Sequence, residues 1–357
     1  MQLTEIGGHA VIGFVSAIFL ISAAEVVVRK LERIAKYYGV SEVVIGLTVV
    51  SIGTSLPEIA SHFVASLQIV FGVGDSRVLS ATVLGGNIGS DVVQQTLVLG
   101  LVVLIVGGFR FSRKFLVRGY APMIGTTLLT LLLAWDGMLT RVDGMVLLSV
   151  FFIYMYFLYT TRSEILQEQG ANPPSENPKR DIFISSLGLL IVVASAHFLF
   201  QNVELIVTQT GLEGSLIGVL VLGVGAALPE MTTAMVGLRE GAEGLSLGTL
   251  IGSNITNPLL GIGLGSALST YHVPKPLIYW DLPLETVTAG ILLTYLLTKD
   301  DFGILLSRVA KRVGLNDAHE RLAMIEERYL GRVGAVLLIV LYFMYLFVRI
   351  SYFPDDF

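Results

Sequence analysis

Polar and apolar positions along this chain fall into long blocks. Ten apolar stretches run at roughly 9–28, 41–70, 78–107, 119–135, 143–160, 182–202, 214–238, 245–269, 280–298 and 331–352. Each is near the ~20 residues a helix needs to cross a bilayer. A backbone in lipid must satisfy its own hydrogen bonds, which a helix does within one segment. The pattern therefore predicts an all-α polytopic membrane protein with ten transmembrane helices. One stretch breaks the pattern: VVIGLTVVSIGTSLPEIASHFVASL sets Pro57 and Glu58 in the middle of an apolar run. A carboxylate at that depth costs several kcal/mol unless something binds or wets it, and the proline removes a backbone donor.

Composition agrees with the pattern: 54% hydrophobic, 14% charged, mean hydropathy +0.76. There is no cysteine, which excludes disulfides, thiolate metal sites and cysteine nucleophiles. No basic patch with interleaved aromatics points to nucleic acid. The first stretch lacks a basic n-region and is followed by Arg29 and Lys30, as expected of an uncleaved span. With the N-terminus outside, 19 of the 23 Lys and Arg residues fall in inside loops and 4 outside. The positive-inside rule then predicts both termini outside.

The opening motif has a partner. Residues 46–58 read GLTVVSIGTSLPE and residues 218–230 read GVLVLGVGAALPE, at an offset of 172. GGNIGSDVVQQTLVLG at 85–100 matches GTLIGSNITNPLLGIG at 248–263, at an offset of 163. The first copy thus carries nine extra residues, expected around IVFGVGDSR. Five helices per copy is an odd number, so the second copy enters the membrane inverted. Inverted repeats with Gly/Pro-interrupted helices at matching positions point to a secondary transporter with a midplane site. The predicted organisation is a first five-helix repeat over 1–160, a cytoplasmic linker over 161–180, and a second inverted repeat over 181–357. Glu58 and Glu230 would meet at equivalent depth.

Paired G-x-S-L-P-E and G-S-N-x-x-N/D motifs resemble the α-repeats of the calcium/cation antiporter superfamily, especially its sodium/calcium exchanger branch. The resemblance covers both repeats. It implies ion ligands at Thr54, Ser55, Glu58, Ser90 and Gln94 in the first repeat, and at Ala226, Ala227, Glu230, Ser253 and Asn257 in the second. It also implies that the first and sixth helices slide across a core of the other eight. Ala226 and Ala227 stand where the family usually has hydroxyls, leaving only backbone oxygen there. Asp91 stands where many relatives have Asn.

Chemistry fits the implied site. Calcium takes six to eight oxygens in flexible geometry, and two glutamates neutralise one Ca²⁺. A helix unwound at the Leu-Pro step is expected to free carbonyls at Thr54 and Ala226. Gln94 and Asn257 lie one turn after Ser90 and Ser253, on the same face. Asp91 is rotated about 100° from Ser90 and faces another helix or the aqueous path. His62, four residues after Glu58, is either a proton relay or a histidine hydrogen-bonded to a neighbouring helix.

Elsewhere, Glu25 is placed to pair with Arg29 at i+4. Asp136, Glu204, Asp281 and Glu285 fall near the outer ends of spans, where solvation accounts for them. Residues 299–330 are too charged to span and pattern as an amphipathic segment at the inner surface.

The reading is a Ca²⁺/Na⁺ antiporter, with a Ca²⁺/H⁺ antiporter of the same fold as the alternative and a cation channel as a different class. No cofactor is expected; the bilayer and the transported ions are the partners. No H-E-x-x-H or Walker motif supports an enzyme or an ATP-driven pump.

Overall fold

The computed structural model describes residues 3–73, 75–111, 115–161, 173–208, 223–312 and 328–353. Almost all of them are helical. In chain order the helices are α1 (Leu3–Tyr38), α2 (Glu42–Thr54), α3 (Leu56–Val70), α4 (Ser76–Val106), α5 (Leu116–Leu133) and α6 (Arg141–Thr161). Then come α7 (Pro178–Thr208), α8 (Gly223–Ala226), α9 (Leu228–Arg239), α10 (243–268), α11 (277–312) and α12 (Arg332–Tyr352). Among the described residues, α4, α5, α6 and α12 are long and apolar enough to cross a membrane on their own. The pair α2–α3, bent by 47°, makes a fifth if it is one broken span. Their outward faces are apolar: Phe152, Ile153, Val333, Leu337 and Phe347 are all more than 60% exposed, an oily exterior that suits lipid and not water.

Local sequence explains the breaks. Ser41 caps α2 by accepting from the Val44 amide, and Asp75 caps α4 by accepting from the Arg77 and Val78 amides. Pro57 and Pro229 fall in the first turns of α3 and α9, where a missing N–H costs nothing. The carbonyls they deprive of a helical donor, four residues back, are those of Gly53 and Gly225. Each is one residue earlier than the Thr54 and Ala226 carbonyls expected from sequence. The extra nine residues of the first copy are distributed. Helix α3 is three residues longer than α9, the turn after it is two longer, and α4 starts four residues earlier than the counterpart of Glu243.

Two buried apolar clusters result. The larger runs through α2, α4–α6 and α8–α12. The smaller joins α1 to α7 through Leu20, Ala24, Val27, Leu31, Leu189 and Val192, and touches α2 and α9–α10 through Val50, Val236 and Leu245. At one end of α1, Arg29 makes a two-pronged contact with Glu240, at 2.9 and 3.0 Å, in preference to Glu25 at 3.6 Å. Lys30 pairs with Asp181 at 2.8 Å, and Ser175 donates to the same carboxylate at 2.7 Å. Burial opposes ionisation of Asp181, yet these two hydrogen bonds and the Lys30 and Arg33 charges hold its carboxyl below the usual range.

Two short antiparallel pairs close the ends. β1 (Gly108–Phe111) pairs with β4 (Arg328–Gly331), and β2 (Met138–Leu139) pairs with β3 (Tyr271–His272). The segment expected to be amphipathic over 299–330 is divided: 299–312 continues α11, 328–330 lies in β4, and 313–327 lies outside the described residues. Most of the linker (162–172) and the start of the second GVLVLGVGAALPE motif (218–222) also lie outside them.

Candidate ion site

Each broken helix crosses the motif helix of the other half. A Cβ on Gly46 of α2 would lie 2.6 Å from the Leu245 carbonyl and 2.8 Å from the Gly248 Cα of α10. A Cβ on Gly223 of α8 would lie 2.8 Å from the Gly89 carbonyl carbon of α4. Only glycine permits backbones this close. The two contacts bring four helix segments to one buried crossing.

The sequence-expected residues gather there. Thr54 ends α2, Ser55 is the single residue of the break, and Glu58 lies in the first turn of α3. Ala226 ends α8, Ala227 is the break, and Glu230 lies in the first turn of α9. Ser90, Asp91 and Gln94 come from α4, and Ser253 and Asn257 from α10. All are buried except half-buried Ala226. Carboxylates in first helical turns sit at the favourable end of the helix dipole.

Two hydrogen bonds across the crossing follow the repeat. Asn257 Nδ2 donates to Asp91 Oδ1 at 2.8 Å, and Asn254 Nδ2 donates to Gln94 Oε1 at 3.1 Å. At the offset of 163, Asp91 corresponds to Asn254 and Gln94 to Asn257, so these are the same contact made twice. Asp91 therefore faces α10 and belongs to the crossing. Around it, Ser253 donates to Gln94 Oε1, and Gln94 Nε2 donates to Ser90 Oγ at 3.0 Å. Ser55 Oγ donates to Glu230 Oε1 at 3.3 Å.

His62 sits beside this crossing, fully buried. Asn87 Nδ2 contacts its Nε2 at 3.1 Å and the Asn257 carbonyl at 3.4 Å. The amide nitrogen must donate to that carbonyl, so His62 Nε2 accepts and Nδ1 carries the proton, 3.3 Å from the Tyr271 hydroxyl. Tyr271, delivered by β3, also meets Ser66 Oγ at 2.7 Å. His62 is thus hydrogen-bonded to neighbouring elements on both nitrogens.

Two acids depart from expectation. Glu285 and Asp281 are not solvated at a span end; both are buried, with partners from α4, α5 and α12. Glu285 Oε1 accepts from Thr127 Oγ1 at 2.7 Å and from Gln95 Nε2 at 2.8 Å, and Asp281 pairs with buried Arg349 at 3.5 Å. Asp136 matches expectation more closely, capping the Met138 amide at 3.1 Å, while the Glu204 side chain lies outside the described residues. Sequence reasoning missed Gln95, Asn254 and Glu285. The usable signal was Asn254, the residue that corresponds to Asp91 in the second motif.

The chemistry of the crossing is one-sided. Both Glu58 oxygens, Glu230 Oε2, Asp91 Oδ2 and Asn257 Oδ1 are buried without a hydrogen-bond partner. All are acceptors, and a buried acceptor without a donor is costly. Among the described residues no group of three or more His, Cys, Asp and Glu is arranged to hold a metal. The donor set is instead carboxylates with hydroxyl and amide oxygens, which suits a hard cation.

A model of the sodium/calcium exchanger protein family matches residues 9–160 and 181–351. The chain belongs to that family. It is an integral, multi-pass membrane protein. A putative antiporter, CaxA of Alkalimonas amylolytica, is 30% identical over 266 residues, 71% of this chain and 79% of that protein. The sodium/calcium exchanger MaX1 of Methanosarcina acetivorans is 25% identical over 322 residues, covering 79% of this chain and 89% of the exchanger. Among solved structures, the sodium-calcium exchanger NCX_Mj soaked with sodium and no calcium superposes with a TM-score of 0.71. It is 22% identical, and the match covers 98% of this chain and 100% of the other, which establishes a shared fold.

Proposed function

We propose that this exchanger-family protein is a secondary antiporter that moves Ca²⁺ against Na⁺ by alternating access. Its site lies between Glu58 and Glu230, in a ten-helix bundle of two inverted five-helix repeats with both termini outside. The observation that carries the reading is the buried, partnerless acceptor set where two half-helices, carrying Glu58 and Glu230, meet the motif helices that carry Asp91 and Asn257. Two carboxylates balance one Ca²⁺, and Thr54, Ser55, Ser90, Ser253, Gln94, Asn257 and the backbone at Ala226 and Ala227 supply neutral oxygens. Those neutral oxygens serve Na⁺ once Ca²⁺ has left. The protein is not an enzyme in this reading: its work is a conformational exchange of access.

The thin hydroxyl supply at Ala226 and Ala227 favours one second reading, the same fold run by Ca²⁺/H⁺ exchange with Glu58 and Glu230 as the titrating groups. Radiolabelled calcium uptake into proteoliposomes separates the two. Uphill uptake under an outward Na⁺ gradient at matched pH supports sodium coupling. Uptake without sodium, driven by a pH gradient alone, replaces it with proton coupling. Calcium movement that only runs down its own gradient makes the protein a channel.

A further inference from the structure

Glu285 lies on α11 with no counterpart in either motif, yet it ends a chain of side-chain amides that reaches the candidate site. Gln95 Nε2 donates to Glu285 Oε1 at 2.8 Å and to Asn254 Oδ1 at 3.0 Å. Asn254 Nδ2 donates to the Leu250 carbonyl at 2.6 Å and to Gln94 Oε1 at 3.1 Å. Gln94 Nε2 donates to Ser90 Oγ, while Ser253 donates to Gln94 Oε1. Every amide in the chain points the same way.

That direction is fixed by chemistry. A backbone carbonyl only accepts, so Leu250 requires the NH₂ of Asn254. Asn254 then turns its oxygen to Gln95 and requires the NH₂ of Gln95, the same nitrogen that meets Glu285 Oε1. With Asn254 so turned, Gln94 must show its oxygen to Asn254 and its nitrogen to Ser90. The two serines, equivalent in the repeat, end up unlike. Ser253 has only acceptors around its hydroxyl, Gln94 Oε1 and the Thr249 and Leu250 carbonyls at 3.1 Å each, so it donates its proton and keeps its lone pairs. Ser90 receives an N–H, which occupies a lone pair and leaves its own proton to be placed.

We infer that this one-way amide chain from Glu285 through Gln95 and Asn254 to Gln94 makes Ser253 the cation-facing hydroxyl and handicaps Ser90. Asn254, Gln95 and Glu285 are positioning residues that act on ion selectivity through Gln94. The inference rests on the antiport reading and deepens it: the two serines contribute unequally to ion affinity, Ser253 more than Ser90.

The test is Na⁺ half-saturation of calcium exchange in proteoliposomes. Losing a hydroxyl ligand to a cation should cost roughly tenfold, so Ser253→Ala is expected to raise half-saturation about tenfold and Ser90→Ala less than threefold. Asn254→Asp offers only acceptors to Gln94, turns its amide round, and should reverse that ranking in the double variants. If Asn254→Asp does not fold, Gln94→Glu accepts from both serines and should make the two Ser→Ala costs equal. Equal costs of Ser90→Ala and Ser253→Ala in the otherwise unaltered protein overturn the inference. So does a ranking that survives Asn254→Asp, or one that survives Gln94→Glu. A purely structural role for the chain lowers activity without changing the ranking. Absence of sodium-driven uptake in the unaltered protein would instead overturn the antiport reading.

Discussion

Ser55 Oγ reaches Glu230 Oε1 at 3.3 Å, from the break of one half-helix pair to the carboxylate of the other. The residue at the corresponding place in the second copy is Ala227, so Glu58 receives no matching hydroxyl. This single loss explains an asymmetry between two otherwise equivalent glutamates. Glu230 has one oxygen without a partner and Glu58 has two.

A hydrogen bond to a charged group is worth about 1.5–3 kcal/mol, so its gain or loss is felt at tenfold or more. Ala227→Ser, made together with Ala226→Thr, should lower the Na⁺ half-saturation of calcium exchange by about tenfold. Ser55→Ala should raise it by a similar factor. Transport kinetics at fixed pH check both. An unchanged sodium dependence in the Ala226/Ala227 double variant would remove those positions from the ion path.

The two glutamates themselves should separate stability from function. Replacing a buried, unpaired carboxylate by its neutral isostere removes a desolvation cost. Glu58→Gln and Glu230→Gln are thus expected to fold, insert and melt at or above the temperature of the parent. Calcium-dependent exchange should be abolished in each. Thermal unfolding in detergent and uptake assays measure the two effects; full transport by either variant would sink the shared site.

Much of this was readable beforehand, and the limits have physical causes. Pro57, Glu58 and their counterparts violate membrane composition so sharply that the broken helices and the correspondence of Glu58 with Glu230 stand out in one sequence. Asp91 was ambiguous because a residue next to a motif serine is rotated away from it, and only the crossing with α10 decides what it meets. Glu285 looked like an end residue open to water. Whether an acid near a helix end is wet depends on what covers it, and the hydroxyl of Thr127 on α5 is supplied from far along the chain. Residues 328–330 patterned with an amphipathic helix, but pairing with Phe109–Phe111 makes them a strand, a long-range partnership that periodicity does not register.

His62 distinguishes a proton carrier from a fixed structural group. Both ring nitrogens are engaged, by Asn87 and by Tyr271, in a neutral tautomer. His62→Gln keeps one donor and one acceptor and should leave sodium-driven uptake within about threefold of the parent, since a retained buried hydrogen bond changes stability by about 1 kcal/mol. His62→Ala removes one partner each from Asn87, which keeps the Asn257 carbonyl, and from Tyr271, which keeps Ser66 and the backbone carbonyl of residue 62. It should destabilise the protein by about 1 kcal/mol per lost hydrogen bond. A pH profile of uptake measured for both variants decides the matter. A shift of that profile in His62→Gln would restore the proton role.

Orientation is open to direct chemical test because the chain has no native cysteine to remove. Exposed Glu176 lies in the connection between the two proposed repeats, and exposed Val73 lies in the turn between α3 and α4. Ser175, next door, is buried against Asp181 and would report nothing about sidedness. If basic loops stay on the cytoplasmic side, Glu176→Cys should react with a membrane-impermeant thiol reagent only from the cytoplasm. Val73→Cys should react only from outside. Each half of the result depends on a different number of crossings: five helices precede residue 176, and two precede residue 73 when α2 and α3 count as one broken span. Labelling of both cysteines from the same side would mean that an odd number of crossings between them has been miscounted, and the inverted relation of the two repeats would fall with it.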